Sequence, residues 1–273
     1  MKAIRLTEKN AGPRALRIET IPDPVPGPGE IVVKVHRAAL NHRDVFITQG
    51  LYPGIEVPRT LGSDGCGVVD ALGDGVSGPA IGTPVVIDPT LDWGGDPRVW
   101  TPQASVLGMP RDGTFAELVC VPAANVHPKP AHLSDDEGAA IPLAGVTAYR
   151  GAITRGELRA GETILITGIG GGVQTFVLLF AKQLGARTIV TSTKDAKLER
   201  ARELGADVTI NTATDKEWYK ALRKTPPDIV VDSLGGEFLA RCVTLVRPGG
   251  RVVIYGGTLG DATIKPFPIF WNQ

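Results

Sequence analysis

The chain has few cysteines, no excess of charge of either sign and no long apolar run. Its three cysteines, Cys66, Cys120 and Cys242, stand far apart, which excludes a disulfide framework and fits a reducing compartment. Small buried hydrophobe is the plainest role for each. Lysine plus arginine number 29 and aspartate plus glutamate 29. With no basic block, nothing points to nucleic acid or to an anionic membrane. Nowhere do the roughly 18 apolar residues of a membrane span run together. The opening MKAIRLTEKN has neither the apolar core nor the cleavage pattern of a leader. Long repeats and low-complexity tracts are also missing. These absences predict a soluble, cytoplasmic protein with no nucleic-acid or membrane partner. At 273 residues the chain exceeds a comfortable single core, so two domains are expected.

What is present is clearest in the second half. Residues 164–166, Ile-Leu-Ile, form a compact apolar run suited to a strand buried on both faces. Glycines follow at Gly168, Gly170, Gly171 and Gly172. Val173, Phe176, Val177, Phe180, Ala181 and Leu184 then recur at helical spacing and stop at Gly185, a C-cap signal. A second β-rich run at 188–191 leads into another amphipathic helix ending at Gly205. Strand, Gly-rich turn, helix, strand, helix is the first unit of a dinucleotide-binding fold. Its chemistry requires bare backbone at the turn, because the pyrophosphate rests against N–H groups at the helix N-terminus. Val173 falls where the third glycine of G-x-G-x-x-G belongs. That position serves helix–strand packing, which a small apolar residue can partly replace.

The end of the second strand decides which dinucleotide is expected. An acidic residue there binds the ribose 2′-hydroxyl of NAD. This chain reads Thr191-Ser192-Thr193-Lys194, with no carboxylate until Asp195. Ser192, Lys194 and Lys197 predict a cationic pocket for the 2′-phosphate of NADP(H). Lys197 is the better placed lysine, since Lys194 lies so near the helix start. The other reading puts both lysines on a solvated helix face. Further strands at 207–210, 228–232 and 251–255, with helices from 215 and near 237–246, complete a doubly wound parallel sheet. Gly256 and Gly257 follow the fifth strand, where the carboxyl edge of the sheet faces the cofactor.

Residues 1–125 read differently. Strand candidates at 1–6, 16–20, 31–40, 65–72, 84–87 and 116–121 are separated by turns. The proline-rich stretch 22–30 is the stiffest of these. Alternation over 31–36 predicts a mostly antiparallel, barrel-like β domain. A Pro/Gly-rich lobe at 88–112 holds Trp93 and Trp100, which either line a substrate mouth or plug the lobe's own core. From 126 the pattern becomes helical. Ser134 and Glu137 form a capping box, and a helical connector over 139–153 leads into the second domain, 126–273.

Taken together, this order resembles the medium-chain dehydrogenase/reductase (MDR) superfamily over nearly the whole chain. The resemblance is carried by Asn41-His42-Arg43-Asp44, Gln49-Gly50-Leu51-Tyr52-Pro53, Leu61-Gly62-Ser63-Asp64-Gly65, Gly145-Val146-Thr147-Ala148-Tyr149, the glycine turn and Asp232-Ser233-Leu234-Gly235-Gly236. In detail it is similar to the zinc-free quinone-oxidoreductase-like and alcohol-dehydrogenase-like branches. The resemblance implies an α/β protein: a GroES-like, mostly-β catalytic domain followed by a doubly wound Rossmann domain, with nicotinamide and a small-molecule substrate between them. Zinc-containing members place a cysteine where Asn41 stands, a histidine where Ser63 stands and a cysteine or acid where Leu143 stands. They also carry four structural-zinc cysteines in the lobe, where this chain has none. No zinc is therefore expected, since amide, hydroxyl and aliphatic groups do not supply a thiolate–imidazole set. His42, Asp44, Asp64 and Cys66 form no recognised metal spacing.

Without a Lewis acid, hydride transfer from NADPH to a quinone, enone or aldehyde relies on hydrogen-bond donors at the substrate oxygen. Asn41 is the leading candidate, with Asp44 holding the loop or its protons, although both also suit plain loop capping. His42 is either a proton relay or a solvent-facing loop residue. Thr147 matches the family position beside the nicotinamide, or else is a helix hydroxyl bonded to its own backbone. Relatives continue past residue 273 with a further sheet strand that makes the usual homodimer contact. A truncated chain with one open sheet edge is therefore expected. A catalytically impaired nucleotide-binding protein is the alternative function, and a zinc alcohol dehydrogenase the third.

Overall fold

The structure is a computed structural model and describes residues 1–272. Two compact units divide between Leu143 and Ala144, later than the division at 125/126 expected from composition. The elements of the first unit are β1 (Lys2–Leu6), β2 (Leu16–Thr20), β3 (Glu30–Ala39), α1 (His42–Thr48), β4 (Arg59–Thr60), β5 (Asp64–Leu72), β6 (Pro84–Ile87), β7 (Thr90–Leu91), β8 (Ser105–Val106), β9 (Leu118–Pro122), β10 (Val126–Pro128) and α2 (Asp135–Ala140). The later division has a physical reason: β10 pairs with β6, and α2 packs on β3 and β5. Both elements thus complete the first core and do not begin the second.

The main sheet of this unit is antiparallel, in the order β10-β6-β5-β3-β9, beside a three-stranded sheet, β2-β1-β4. The alternation expected along β3 does not hold, because Ile31, Val32 and Val33 are all buried. Register shifts against β5 at Val32/Val33 and Val35/Arg37 rephase the strand, as bulges do. Gly67 faces this irregular stretch. A β-carbon there would stand 1.9 Å from the Lys34 carbonyl oxygen, so only glycine fits. Val33, Val69, Val85, Ile87 and Val121 fill the core between the strands. Each side chain buried to this degree contributes roughly 1.5–3 kcal/mol.

Residues 42–48, expected as loop, form helix α1. Its Ile47 is fully buried in a second small core with Leu6, Ala15, Leu61 and Met109, and that packing outweighs the weak propensity of so short a segment. From the lobe, Leu91 and Leu107 join the core of the main sheet. Trp93 and Trp100 pair with ring centroids 6.0 Å apart; Trp93 is half-buried, while Trp100 is 61% exposed and does not plug the lobe.

Within the expected helical connector, Pro142 separates two helices. α2 stops at Ala140, and α3 (Pro142–Tyr149) starts afresh with proline at its first position, passing into a π-type turn at Arg150–Arg155. The second unit continues with β11 (Thr163–Ile166), α4 (Gly172–Leu184), β12 (Arg187–Ser192), α5 (Asp195–Glu203), β13 (Val208–Asn211), α6 (Trp218–Leu222), β14 (Ile229–Asp232), α7 (Gly236–Leu245), β15 (Arg251–Ile254) and α8 (Pro266–Asn272). Helix α6 starts later than the expected 215, since Asp215 accepts the Glu217 N–H in a turn of its own. Among the described residues no helix is long and apolar enough to cross a membrane.

All five strands of this sheet are parallel, in the order β13-β12-β11-β14-β15. β11 lies at the centre, with Ile164, Leu165 and Ile166 fully buried, as the short apolar run requires. Gly185 ends α4 in the left-handed region at φ +80°. The chain runs outward in opposite directions from β11 and from β14, so the topological switch point lies between these neighbours.

The cysteines are spread over both units. Cys66 and Cys242 are buried and Cys120 is half-buried. Burial pushes the Cys66 and Cys120 thiols each up to about 11. Burial raises that of Cys242 as well.

Candidate functional site

In the first unit, Asn41 caps the N-terminus of α1. Its backbone N–H donates to the Asp44 carboxylate at 2.8 Å, and the Asp44 N–H donates to the Asn41 carbonyl at 3.0 Å. Asp44 is thus a helix-start residue, 4% exposed, and burial raises its pKa. The Asn41 side-chain nitrogen donates to Asp64 Oδ2 at 2.8 Å, while Asp64 Oδ1 accepts the Leu143 N–H at 2.7 Å. Asp64 is 1% exposed at the start of β5, and burial pushes its pKa up to about 6 against the opposing pull of these two bonds. Beside it, Arg43 Nη1 donates to Ser63 Oγ at 2.6 Å and to the Leu107 carbonyl at 2.8 Å. The guanidinium also lies over the Tyr52 ring, 4.8 Å from its centroid.

Of the three catalytic candidates, the structure thus joins Asn41 and Asp44 and sets His42 apart. His42 is exposed, with its ring edge-on to Phe46 at 4.5 Å. Sequence reasoning assigned no role to Arg43, and weighed Asp64 only as a metal ligand. The signal for Asp64 was its place beside Ser63 in the Leu61–Gly65 motif. The tentative grouping with Cys66 does not form, because that thiol turns to Asp135 at 3.7 Å.

The second unit holds the glycine turn at the carboxyl end of β11. Gly168 has φ +68° and Gly170 φ +114°, conformations that only glycine adopts readily. Gly171 is the N-cap of α4 and makes no side-chain cap, so the first N–H groups of the helix are open to an anion. A β-carbon on Gly172 would stand 3.1 Å from Ala144 Cβ, so this glycine lets α4 approach α3 closely. Val173 itself packs against the core behind the turn. Thr147 follows Ala144 by three residues, on the same side of α3.

Lys197 lies beside the turn, whereas Lys194 only caps α5 through its backbone. Ser192 is 6% exposed at the end of β12, and its hydroxyl accepts the Lys194 N–H at 3.2 Å. The nearest carboxylate, Asp195, accepts the Asn211 side-chain amide at 2.6 Å. At the switch point Thr167 donates to Asp232 Oδ1 at 2.6 Å, and Gln174 Nε2 donates to Ser233 Oγ at 2.6 Å. Gly256 runs against this edge, where a β-carbon would stand 2.9 Å from the Ser233 carbonyl oxygen. A β-carbon on Gly257 beside it would make only ordinary contact, 4.0 Å from the Gly260 carbonyl oxygen. The turn therefore fits a nucleotide pyrophosphate. In the first unit, by contrast, the three positions that would carry catalytic-zinc ligands hold an amide bonded to a carboxylate, a hydroxyl bonded to a guanidinium, and a leucine. That donor set does not fit a zinc ion.

An antiparallel β unit followed by a parallel-sheet unit with a nucleotide cradle defines a two-domain, nucleotide-dependent oxidoreductase. Residues 27–131 match the family described as alcohol dehydrogenase GroES-like domain, and residues 172–273 match zinc-binding dehydrogenase. A zinc-type alcohol dehydrogenase-like protein, YogA, of Leptosphaeria maculans is 38% identical over 92% of this chain and 75% of its own length. An acryloyl-coenzyme A reductase of Metallosphaera sedula is 30% identical over 94% of the chain and 76% of its own. Among solved structures, an NAD-dependent alcohol dehydrogenase superposes with a TM-score of 0.91 at 38% identity, over 100% of this chain and 82% of that one. A mycobacterial protein, Rv1454c, complexed with NADPH, gives 0.84 at 26%, over 100% and 79%. The chain belongs to the medium-chain dehydrogenase/reductase superfamily.

Proposed function

We propose that the chain is an NADPH-dependent, zinc-independent reductase of small electrophiles: quinones, enones or aldehydes. The observation that carries this reading is the Asn41–Asp64 hydrogen bond, with Arg43 on Ser63 beside it. Polar groups that need no metal occupy the positions where zinc relatives hold their ligands. NADPH, when bound, supplies a hydride from C4 of its nicotinamide. The turn at Gly168, Gly170, Gly171 and Gly172 holds the pyrophosphate on backbone N–H groups. Lys197 and the hydroxyl-lined end of β12 accept the 2′-phosphate, since Asp195 is engaged by Asn211. Thr147 and Gly257 border the nicotinamide end of the cofactor. Asn41 donates to the substrate oxygen as negative charge develops there, a contribution of a few kcal/mol in a desolvated site. Asp44 fixes the backbone of Asn41 and does not act on substrate.

The names of the relatives divide on the cofactor, one being NAD-dependent and one holding NADPH. The acryloyl-coenzyme A reductase supports an activated alkene as acceptor. The test is NADPH oxidation by the metal-analysed, chelator-treated chain with an ortho-quinone, an enal and an aliphatic aldehyde. Turnover unaltered by chelation is expected. Activity that requires added zinc would overturn the reading, and cofactor binding without turnover on the whole panel would favour a non-catalytic nucleotide-binding protein.

A further inference from the structure

We propose that Asp64 is a positioning residue that sets which end of the Asn41 amide meets the substrate. This rests on the reading of Asn41 as the donor to the substrate oxygen. An amide has two chemically opposite ends, and a half-buried asparagine turns by half a rotation at little steric cost. Its orientation must therefore come from its partners: the Asp44 N–H of the capping box faces the oxygen end, and Asp64 faces the nitrogen end. An ionised carboxylate only accepts, so the end of Asn41 facing Asp64 Oδ2 at 2.8 Å must be the nitrogen. The reverse orientation would press the amide oxygen against a carboxylate oxygen at hydrogen-bond distance. Asp64 is 1% exposed, which leaves no solvent to mediate that repulsion.

Asp64 itself cannot swing to relieve it. Its other oxygen accepts the Leu143 N–H at 2.7 Å, and its backbone carbonyl accepts the Thr114 hydroxyl at 2.7 Å. The backbone of Asn41 is held separately by Asp44 at 2.8 Å. With both ends of the pair fixed, one N–H of Nδ2 goes to Asp64, and the second has no protein partner among the described residues. That second N–H is what a substrate oxygen needs as it gains charge. A flipped amide would instead oppose that charge with its own oxygen. The charged groups around Asp64 are Asp44 and Arg43, of opposite sign. Asp64 touches neither substrate nor cofactor and acts through Asn41.

The test uses the full chain labelled with ¹⁵N-asparagine, the Asn41 side-chain pair being assigned by its loss in Asn41→Ala. In the unmutated chain one N–H of the pair is shifted downfield by the carboxylate and the two are unequal. Near-equal, solvent-like signals would overturn the proposal without any variant. In Asp64→Asn, whose side chain offers an N–H to Asn41, the pair moves to an ordinary position. The kcat with NADPH and an ortho-quinone falls roughly tenfold to a hundredfold, while NADPH affinity stays within about twofold. A pair that does not move in Asp64→Asn overturns the proposal, whatever happens to thermal stability. If Asn41→Ala lowers kcat and Asp64→Asn does not, the donor reading stands and the positioning role alone is overturned. If Asn41→Ala leaves kcat unaltered, the donor reading falls and takes this role with it.

Discussion

Lys197 lays its side chain across Gly170: a β-carbon built on that glycine would stand 2.4 Å from Lys197 Cδ and 3.0 Å from Cε. The lysine comes from α5, the helix after the second strand, while the glycine belongs to the turn after the first. Two segments that a sequence reader treats as separate signals, the glycine turn and the ribose end, are therefore in direct contact.

Lys197→Ala is expected to weaken NADPH binding about tenfold or more, since a hydrogen bond to a charged group contributes roughly 1.5–3 kcal/mol. NADH binding should stay within about twofold. Titration of each reduced coenzyme by its fluorescence checks this. An equal loss for both would mean that the lysine stem merely supports the turn.

Adding Ser192→Asp to Lys197→Ala should turn the preference toward NADH. The new carboxylate would stand at the end of β12, where a ribose 2′-hydroxyl is recognised and a 2′-phosphate is repelled. The ratio of kcat/KM for the two coenzymes is the measurement, and an unchanged ratio would reject the pocket.

Gly170→Ala should lose saturable coenzyme binding while the fold is kept. Its φ of +114° strains any L-residue, and the added methyl meets Lys197. Circular dichroism with coenzyme titration separates the two effects.

Leu165→Ala should destabilise the chain by about 3 kcal/mol, as large-to-small changes in a rigid core do. Leu165 is fully buried in the central strand of the parallel sheet, packed with Ile189 and Val230. The urea midpoint of the second unit reports the loss. A change under about 1 kcal/mol would indicate that the sheet closes over the gap.

Asp64 also predicts a pH dependence. Burial lifts its folded pKa to about 6 from the ordinary 3.8. The folded state therefore binds this proton more tightly than the unfolded chain does. Its contribution favours folding at low pH and is lost as pH rises through about 6. Asp64→Asn removes that dependence, so the variant should gain stability relative to the parent between about pH 4 and 6.5. Urea unfolding at both ends of the range measures it. A constant difference would mean that Asp64 titrates normally.

The second unit was the more legible in sequence because its signals are local. A three-residue apolar strand, a glycine turn and a C-capping Gly185 each declare themselves within a few positions. The β unit was less so. Bulges in β3 hid which residues face inward. Helix α1 was missed because its stability comes from Ile47 meeting Leu6 and Leu61, contacts distant in sequence. The site shows the same contrast. Asn41 and Asp44 stood out within one motif, but Asp64 acquires its part only through bonds to Asn41 and Leu143, which no local pattern announces. Asp44, expected to hold the loop or its protons, binds the Asn41 N–H at the helix start.

The buried thiols have a consequence of their own. With Cys66 and Cys120 lifted to about 11, only on the order of one molecule in ten thousand carries either as thiolate at neutral pH. Activated alkenes and quinones alkylate proteins through that anion. A chain so short of it is expected to resist alkylation by such compounds at neutral pH.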